Sequence, residues 1–462
     1  MFKKNSRAIL LQVLNILGGA LILMYPALWN RFPIINSDSG TYIQSAIDNL
    51  TPMDRPVFYG YFINWTDVYR SLWFVAFSQN ILLALMIWKT MQKFSSGFSW
   101  LGFYLTIIVL TAFTTVAWFS SQIMTDVFTP LLLLSAALLL FDSSAKIGEM
   151  IFYSAIVFFS CLVHFSHFML ALALVAFILS AKLFHVKIAF LQVAWRRLML
   201  ALTVVTLSIV FVPCFNYFKD GKFYFSNGSG ILLCSKFVED GLLKKYLDAH
   251  CSEDPNPLCH FKDQLPVWGP EFLYGKTSPV NELGLDSTLS ACNKISFRVV
   301  ETYPLEFALL SLKGASINLF RLDAGTGIQR YDENSSPYFR IEMEDRTEFN
   351  QWRTSKQQGN QLDFSLLAII QRIFVFGTLL ILLLNLSTPN LFSSLSQRFI
   401  SLAQFIILAL ILNAMITGTL ASEHDDRYQT RIAWLIPLIV LTQYQNQIVN
   451  GLKRQFGKWN KE

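Results

Sequence analysis

Charge is scarce in this sequence. Asp, Glu, Lys and Arg make up 15% of its 462 residues against 53% hydrophobic ones, and no single soluble core could bury so much apolar surface. That scarcity excludes an ordinary water-soluble domain. The chain also lacks a GxxxxGKS loop, so it cannot drive transport with ATP on its own, and it has no GxSxG elbow, HExxH pair or dinucleotide fingerprint. No internal repeat or low-complexity tract is visible.

In place of charge there are long apolar runs. Ten of them, at 8–29, 72–88, 100–119, 127–141, 150–163, 168–183, 198–215, 366–386, 399–420 and 432–449, are candidates to cross an apolar layer of about 30 Å. The runs at 127–141 and 150–163 are short, so either could be re-entrant. The sequence therefore predicts an all-α polytopic membrane bundle of about ten transmembrane helices. Three parts are expected: an N-terminal membrane module at 1–215 with a long first loop at 30–71, a polar lobe at 216–365, and a C-terminal membrane module with a basic tail at 366–462.

Orientation follows from the basic residues, because short loops rich in Lys and Arg stay cytoplasmic. Lys3, Lys4, Arg7, Lys89, Lys93, Lys146, Lys182, Lys187, Arg196, Arg197, Arg398 and the tail lysines fall on one side of a ten-helix bundle. Arg31, Arg55, Arg70, Arg427 and Arg431 fall on the other. Both termini are expected in the cytoplasm, with run 8–29 retained as a signal anchor. The asymmetry accounts for the net charge of +6 and gives no reason to invoke nucleic acid. Plain loops and the lack of targeting signals favour a bacterial inner membrane. The sequons at Asn49, Asn64, Asn227 and Asn334 matter only in a eukaryotic host.

Four of the six cysteines, Cys234, Cys251, Cys259 and Cys292, lie in the lobe, on the side where disulfides form. Two bridges are expected, Cys251 with Cys259 as the local pair. Zinc competes, but the spacing of Cys251, Cys259 and His260 fits no usual pattern. Cys161 and Cys214 sit in apolar runs as packing residues. The lobe's pattern is mixed, with a helical stretch at 293–320 among irregular segments punctuated by Pro255, Pro257, Pro266, Pro270 and Pro279.

Ionisable residues at membrane depth are costly and tend to be retained for function. Three groups gather at the same expected face. Asp38, in Asn36-Ser37-Asp38-Ser39, shares the first loop with Arg55, and either caps a helix beginning at Ser39 or acts as a base. Asp126 has the same two readings. Segment 423–431 carries Glu423, His424, Asp425, Asp426, Arg427, Tyr428 and Arg431. It is either a solvated hairpin or an anion site, with Arg427 and Arg431 on one helical face able to chelate phosphate oxygens. His164 and His167, three apart, could bind a metal or phosphate, assist proton transfer, or simply pack. Arg372 either snorkels to the surface or faces the bundle interior.

Asp38 after the first run, Asp126 at the second mouth and Asp426-Arg427-Tyr428 ahead of Pro437 give a layout that resembles the GT-C superfamily of integral-membrane glycosyltransferases, which includes protein mannosyltransferases and lipid A aminoarabinose transferases. The resemblance implies transfer of a sugar from a polyprenyl-phosphate carrier to a glycan, lipid or protein acceptor on the extracytoplasmic face. It implies Asp38 as catalytic base, Asp126 as a second acidic residue near the acceptor or a metal, and Arg427 with Tyr428 as a clamp on the carrier phosphate. Arg55, His164, His167, His424 and Arg431 join the candidate phosphate-binding set. No cofactor is certain and a divalent cation is left open. The chain departs from better-known members in having its lobe between the seventh and eighth helices and a Ser-Asp-Ser loop instead of paired acids. Two other classes compete: a transporter or flippase for lipid-linked glycans, and a polysaccharide polymerase or ligase.

Overall fold

A computed structural model describes residues 2–186, 192–276, 278–344, 346–387 and 395–459. Among them every regular element is a helix, and a single backbone bridge joins Ile34 to Gln122. Each of the ten apolar runs lies on helix. Among the described residues five helices are long and apolar enough to cross a membrane: Leu72–Phe94, Phe165–Leu183, Trp195–Asp220, Ser365–Ser387 and Gln397–Leu420. Shorter apolar helices cover Arg7–Leu23, Trp100–Phe113, Thr125–Phe141 and Ile147–Val163.

Several runs are broken where they reach the mouth of the bundle, and the breaks have local causes. The first helix, Phe2–Leu23, gives way to Tyr25–Asn30, which carries Pro26 in its first turn and closes on Arg31 at φ 67°. The run at 100–119 divides at Thr114 and Thr115, and the freed N–H of Thr115 donates to Gln371 Oε1 at 2.7 Å. The last run divides into Arg427–Ala433 and Leu435–Trp459. Pro437 falls in the first turn of the second piece, where a missing N–H costs no intrahelical bond.

Irregular backbone inside a bundle needs protein partners, and two buried amides of Leu72–Phe94 supply them. Gln79 Nε2 donates to the carbonyls of Ser120 and Gln122 at 3.1 and 2.6 Å. Asn80 donates to Ser120 O at 3.0 Å and accepts from Ser120 Oγ at 2.7 Å. The loop carrying Asp126 is thereby fixed from below. Far along the chain, Gln357 clamps the first loop, accepting from Ile35 N at 3.1 Å and donating to Ile35 O at 2.5 Å.

The lobe is helical, not mixed. Several of its prolines start helices: Pro257–Phe261, Gly269–Tyr274, Pro279–Leu283 and Pro304–Phe320 each carry Pro in the first turn, a position suited to its fixed φ and absent donor, whereas Pro255 and Pro266 lie outside the helices. Cys251 and Cys259 are bonded at 2.04 Å. The expected second bridge is absent, since Cys234 and Cys292 are free thiols. Both are buried with Ile231, Phe237, Ile295 and Val299 in one apolar cluster, where a thiol serves as a small apolar group. Helix Pro304–Phe320 also leaves the lobe and lies along Gln397–Leu420.

That last contact rests on two glycines. A Cβ on Gly314 would stand 2.7 Å from Gly418 O, and one on Gly418 would collide with the backbone of Gly314 and Ala315. Gly377, by contrast, faces open space within its helix. Gly418→Val should therefore lower the melting temperature in detergent, with overpacking costing about 1–3 kcal/mol. Gly377→Ala should leave it unchanged or raise it, by up to about 1 kcal/mol. Equal melting curves for the two variants would show that the helices do not touch there.

Candidate functional site

Asp38 and Asp126 lie 88 positions apart in sequence, and the backbone brings them to one place. Ile34 N donates to Ser121 O and Ile123 N donates to Ile34 O, each at 3.0 Å, so the two loops run side by side as a short bridge. Ser39 Oγ then donates to Ile123 O at 2.9 Å and accepts from Asn36 N at 2.8 Å. Asp38 occupies the N-terminal position of helix Ser39–Asp48, yet its side chain makes no cap bond. It reaches across to arginines instead.

Arg427, from the opposite end of the chain, donates through Nη1 to Asp38 Oδ2 and to Asn36 Oδ1, both at 3.1 Å. Its Nε lies 3.4 Å from Asp425 and 3.9 Å from Asp126. Arg431, one helical turn on, donates to Asp126 Oδ1 at 2.8 Å, and both partners of that pair are almost wholly buried. Arg55 approaches Asp38 Oδ1 at 3.4 Å while holding Asp54 at 2.6 Å, with its guanidinium over the Tyr42 ring. The Tyr428 ring lies 5.6 and 5.8 Å from the guanidinium carbons of Arg427 and Arg431. Three arginines thus enclose two carboxylates contributed by distant loops.

Each of those arginines keeps a donor in reserve. Arg55 Nη1, Arg427 Nε and Arg431 Nε are buried without a hydrogen-bond partner among the described residues. A buried charged N–H left unsatisfied costs free energy, and an anion with several oxygens could satisfy all three. Burial by itself opposes ionisation of Asp38, but Arg55 and Arg427 outweigh it and hold the carboxyl far below the usual carboxylate range. Burial pushes Asp425 up against the pull of Arg427, and Glu423 shifts the same way for the same cause.

The histidines divide. His164 caps helix Phe165–Leu183, its Nδ1 2.8 Å from Ser166 Oγ, and that hydroxyl lies 3.4 Å from Arg431 Nη2. His167 is buried with both ring nitrogens engaged, by Thr129 Oγ1 at 2.7 Å and Ser160 O at 2.8 Å. It supports the helix junction, and its two ring nitrogens are engaged away from the arginines. His424 turns to Asn318 at 3.0 Å, with burial and the nearby Lys236 lowering its pKa. No group of three or more His, Cys, Asp or Glu among the described residues is placed to hold a metal ion.

Several participants carried no signal in the sequence. Asn36 bridges Arg427 and the Asp38 backbone N–H at 3.3 Å, and Gly40 lets the chain pass against Ser336 and Pro337, where a Cβ would stand 2.7 Å from Pro337 N. Asp426, which the sequence did single out, is a tether: it accepts from Arg321 Nη2 at 2.8 Å and from Asp323 N at 3.1 Å. Arg372 is exposed and pairs with Asp323, so of its two readings the structure favours the surface over the bundle interior. Compared with known proteins, the chain matches no family model, no curated protein and no solved structure.

Removing one member of a buried ion pair strands the other. Arg431→Met should destabilise the protein by about 3–5 kcal/mol, and Asp126→Leu combined with it should recover much of that loss. Thermal unfolding of the two single variants and the double variant measures the coupling. Additive losses would mean that the pair is not formed.

Asp38 gives a pH signature of opposite kind. Its folded pKa is depressed, so its stabilising contribution is complete above the unfolded value of about 3.9 and is lost as pH falls through the folded value. The stability difference between wild type and Asp38→Asn should be constant from pH 5 to 8, on the order of the window set by those carboxylate values, and shrink only in stronger acid. A titration of that difference near neutrality would contradict the arginine contacts.

Proposed function

We propose that this chain is a GT-C-type glycosyltransferase that moves a sugar from a polyprenyl-phosphate carrier to an acceptor hydroxyl on a glycan, lipid or protein. The observation that carries this reading is the Arg427 to Asp38 contact, 3.1 Å across a mouth assembled from both ends of the chain, with three unpartnered guanidinium N–H groups beside it. A carrier phosphate is the kind of anion those donors suit. In this reading about ten helices cross the membrane, both termini are cytoplasmic and the mouth opens extracytoplasmically, in a bacterial inner membrane. The opposite end is basic: Lys89 pairs with Glu149 at 2.6 Å, Lys93 with Asp142 at 2.9 Å, and Arg398 binds Ser143 Oγ at 2.8 Å.

The reaction is a single displacement. The acceptor oxygen forms a bond to the anomeric carbon, and the bond from that carbon to the phosphate oxygen breaks. Its electron pair leaves with the carrier phosphate, and the acceptor proton passes to Asp38. An Asp gripped by two arginines is a weak base. When phosphate oxygens recruit Arg427 and Arg55, those guanidinium groups loosen from Asp38, and its basicity rises only while donor is bound. Arg431, already committed to Asp126 at 2.8 Å, holds the mouth together. The leaving phosphate departs among guanidinium groups that donor binding has already turned toward it, so little further reorganisation is needed in the reacting complex.

Purified protein incubated with polyprenyl-phosphate-linked sugars and candidate acceptors should form a covalent product whose anomeric configuration is inverted. Asp38→Asn should lower the rate about 10²- to 10⁴-fold while the variant melts as a folded protein. Full activity in that variant would remove Asp38 as the base. Movement of the intact lipid-linked glycan across a vesicle membrane without any covalent product would favour a flippase.

A further inference from the structure

Helix Pro304–Phe320 falls within the stretch that reads as a water-facing lobe, yet its surface contradicts that setting. Leu305, Leu309, Leu312 and Phe320, spaced four, three and eight residues apart, are 71%, 57%, 56% and 63% exposed. At helical periodicity they form one stripe. An apolar stripe of this size on a soluble lobe would be an unpaired liability.

The opposite face says what covers it. Gly314, Ala315 and Asn318 are buried, with Gly314 against Gly418 and Asn318 Nδ2 donating to Thr417 Oγ1 at 3.1 Å. Both partners belong to Gln397–Leu420, one of the five helices able to cross a membrane. At its end, the Phe320 ring meets Phe376 at 6.3 Å, and Phe376 lies on a second such helix, Ser365–Ser387. That helix exposes Leu366, Ile369 and Ile373 at 69%, 54% and 70%. The stripe is therefore continuous with the outward apolar surface of two candidate membrane spans.

We propose that helix Pro304–Phe320 is immersed in the lipid layer beside Gln397–Leu420, with Leu305, Leu309, Leu312 and Phe320 against acyl chains. Its two charged side chains accord with a place at the headgroup boundary. Glu306 pairs with Lys245 of the lobe at 2.5 Å, and the Lys313 stem is long enough to carry its amine out of the apolar layer. The lobe is then anchored by its own helix close to the mouth. The inference does not depend on sugar transfer.

Spin labels test it in the full chain reconstituted into phosphatidylcholine vesicles. Leu309→Cys and Leu312→Cys are labelled, with Ile373→Cys as the lipid reference and Val267→Cys, at an 89% exposed lobe position, as the water reference. Signal from native thiols is subtracted using labelled wild type. Relaxation by oxygen against relaxation by a water-soluble nickel chelate should place 309 and 312 nearer the Ile373 reference. Ratios nearer the Val267 reference overturn the proposal. Should one variant fail to fold, the other gives the same decision.

Discussion

The buried pair between Arg431 and Asp126 is the constraint on which the mouth of this protein depends. Two ions taken out of water are tolerable only when each neutralises the other, so the loop at 121–126 and the helix opening at 427 must stay in register. Once they do, Arg427, one turn earlier on the same helix, has little choice but to face Asp38. The backbone bridge between Ile34 and Gln122 carries the first loop to the same point. A site drawn from three separate stretches of the chain, around Asp38, Asp126 and Arg427, is thus assembled by one ion pair and one pair of main-chain bonds.

Around that centre the polar groups are arranged to hold irregular backbone where water is scarce. Gln79 and Asn80 brace the loop before Asp126, Gln371 receives the N–H freed at Thr115, and Gln357 pairs with both backbone groups of Ile35. Each is an uncharged amide, able to donate and accept together. Such residues stabilise kinked segments without adding further charge to desolvate. Of the buried charged residues, Asp126, Asp426 and Arg431 lie at the mouth.

The legible parts of the sequence were those with a local signature. Apolar runs announced helices, and the rarity of charge made Asp38, Asp126, Arg427 and Arg431 conspicuous before any geometry was known. Cys251 and Cys259 were close enough in sequence to suggest their bond. What could not be read was set by contacts between remote segments. Asn36 and Gln357 are ordinary amides until the fold places them against Arg427 and Ile35. The lobe prolines looked like irregular punctuation, although a proline is equally at home in the first turn of a helix. Cys234 and Cys292 shared the right compartment for a bridge, but their helices pair them as packed thiols. Gly314 and Gly418 gave no hint that a lobe helix would lie on a membrane helix.

The central claim is that the arginine donors at this mouth exist to hold a lipid-linked phosphate. Cryo-electron microscopy of the protein with a short-chain polyprenyl phosphate, in lipid nanodiscs, tests it most directly. The account predicts phosphate density in contact with Arg427 and beside Asp38, with the isoprenoid tail leading into the bilayer. Density for the phosphate at another place on the protein, with Arg427 still closed on Asp38, would contradict it.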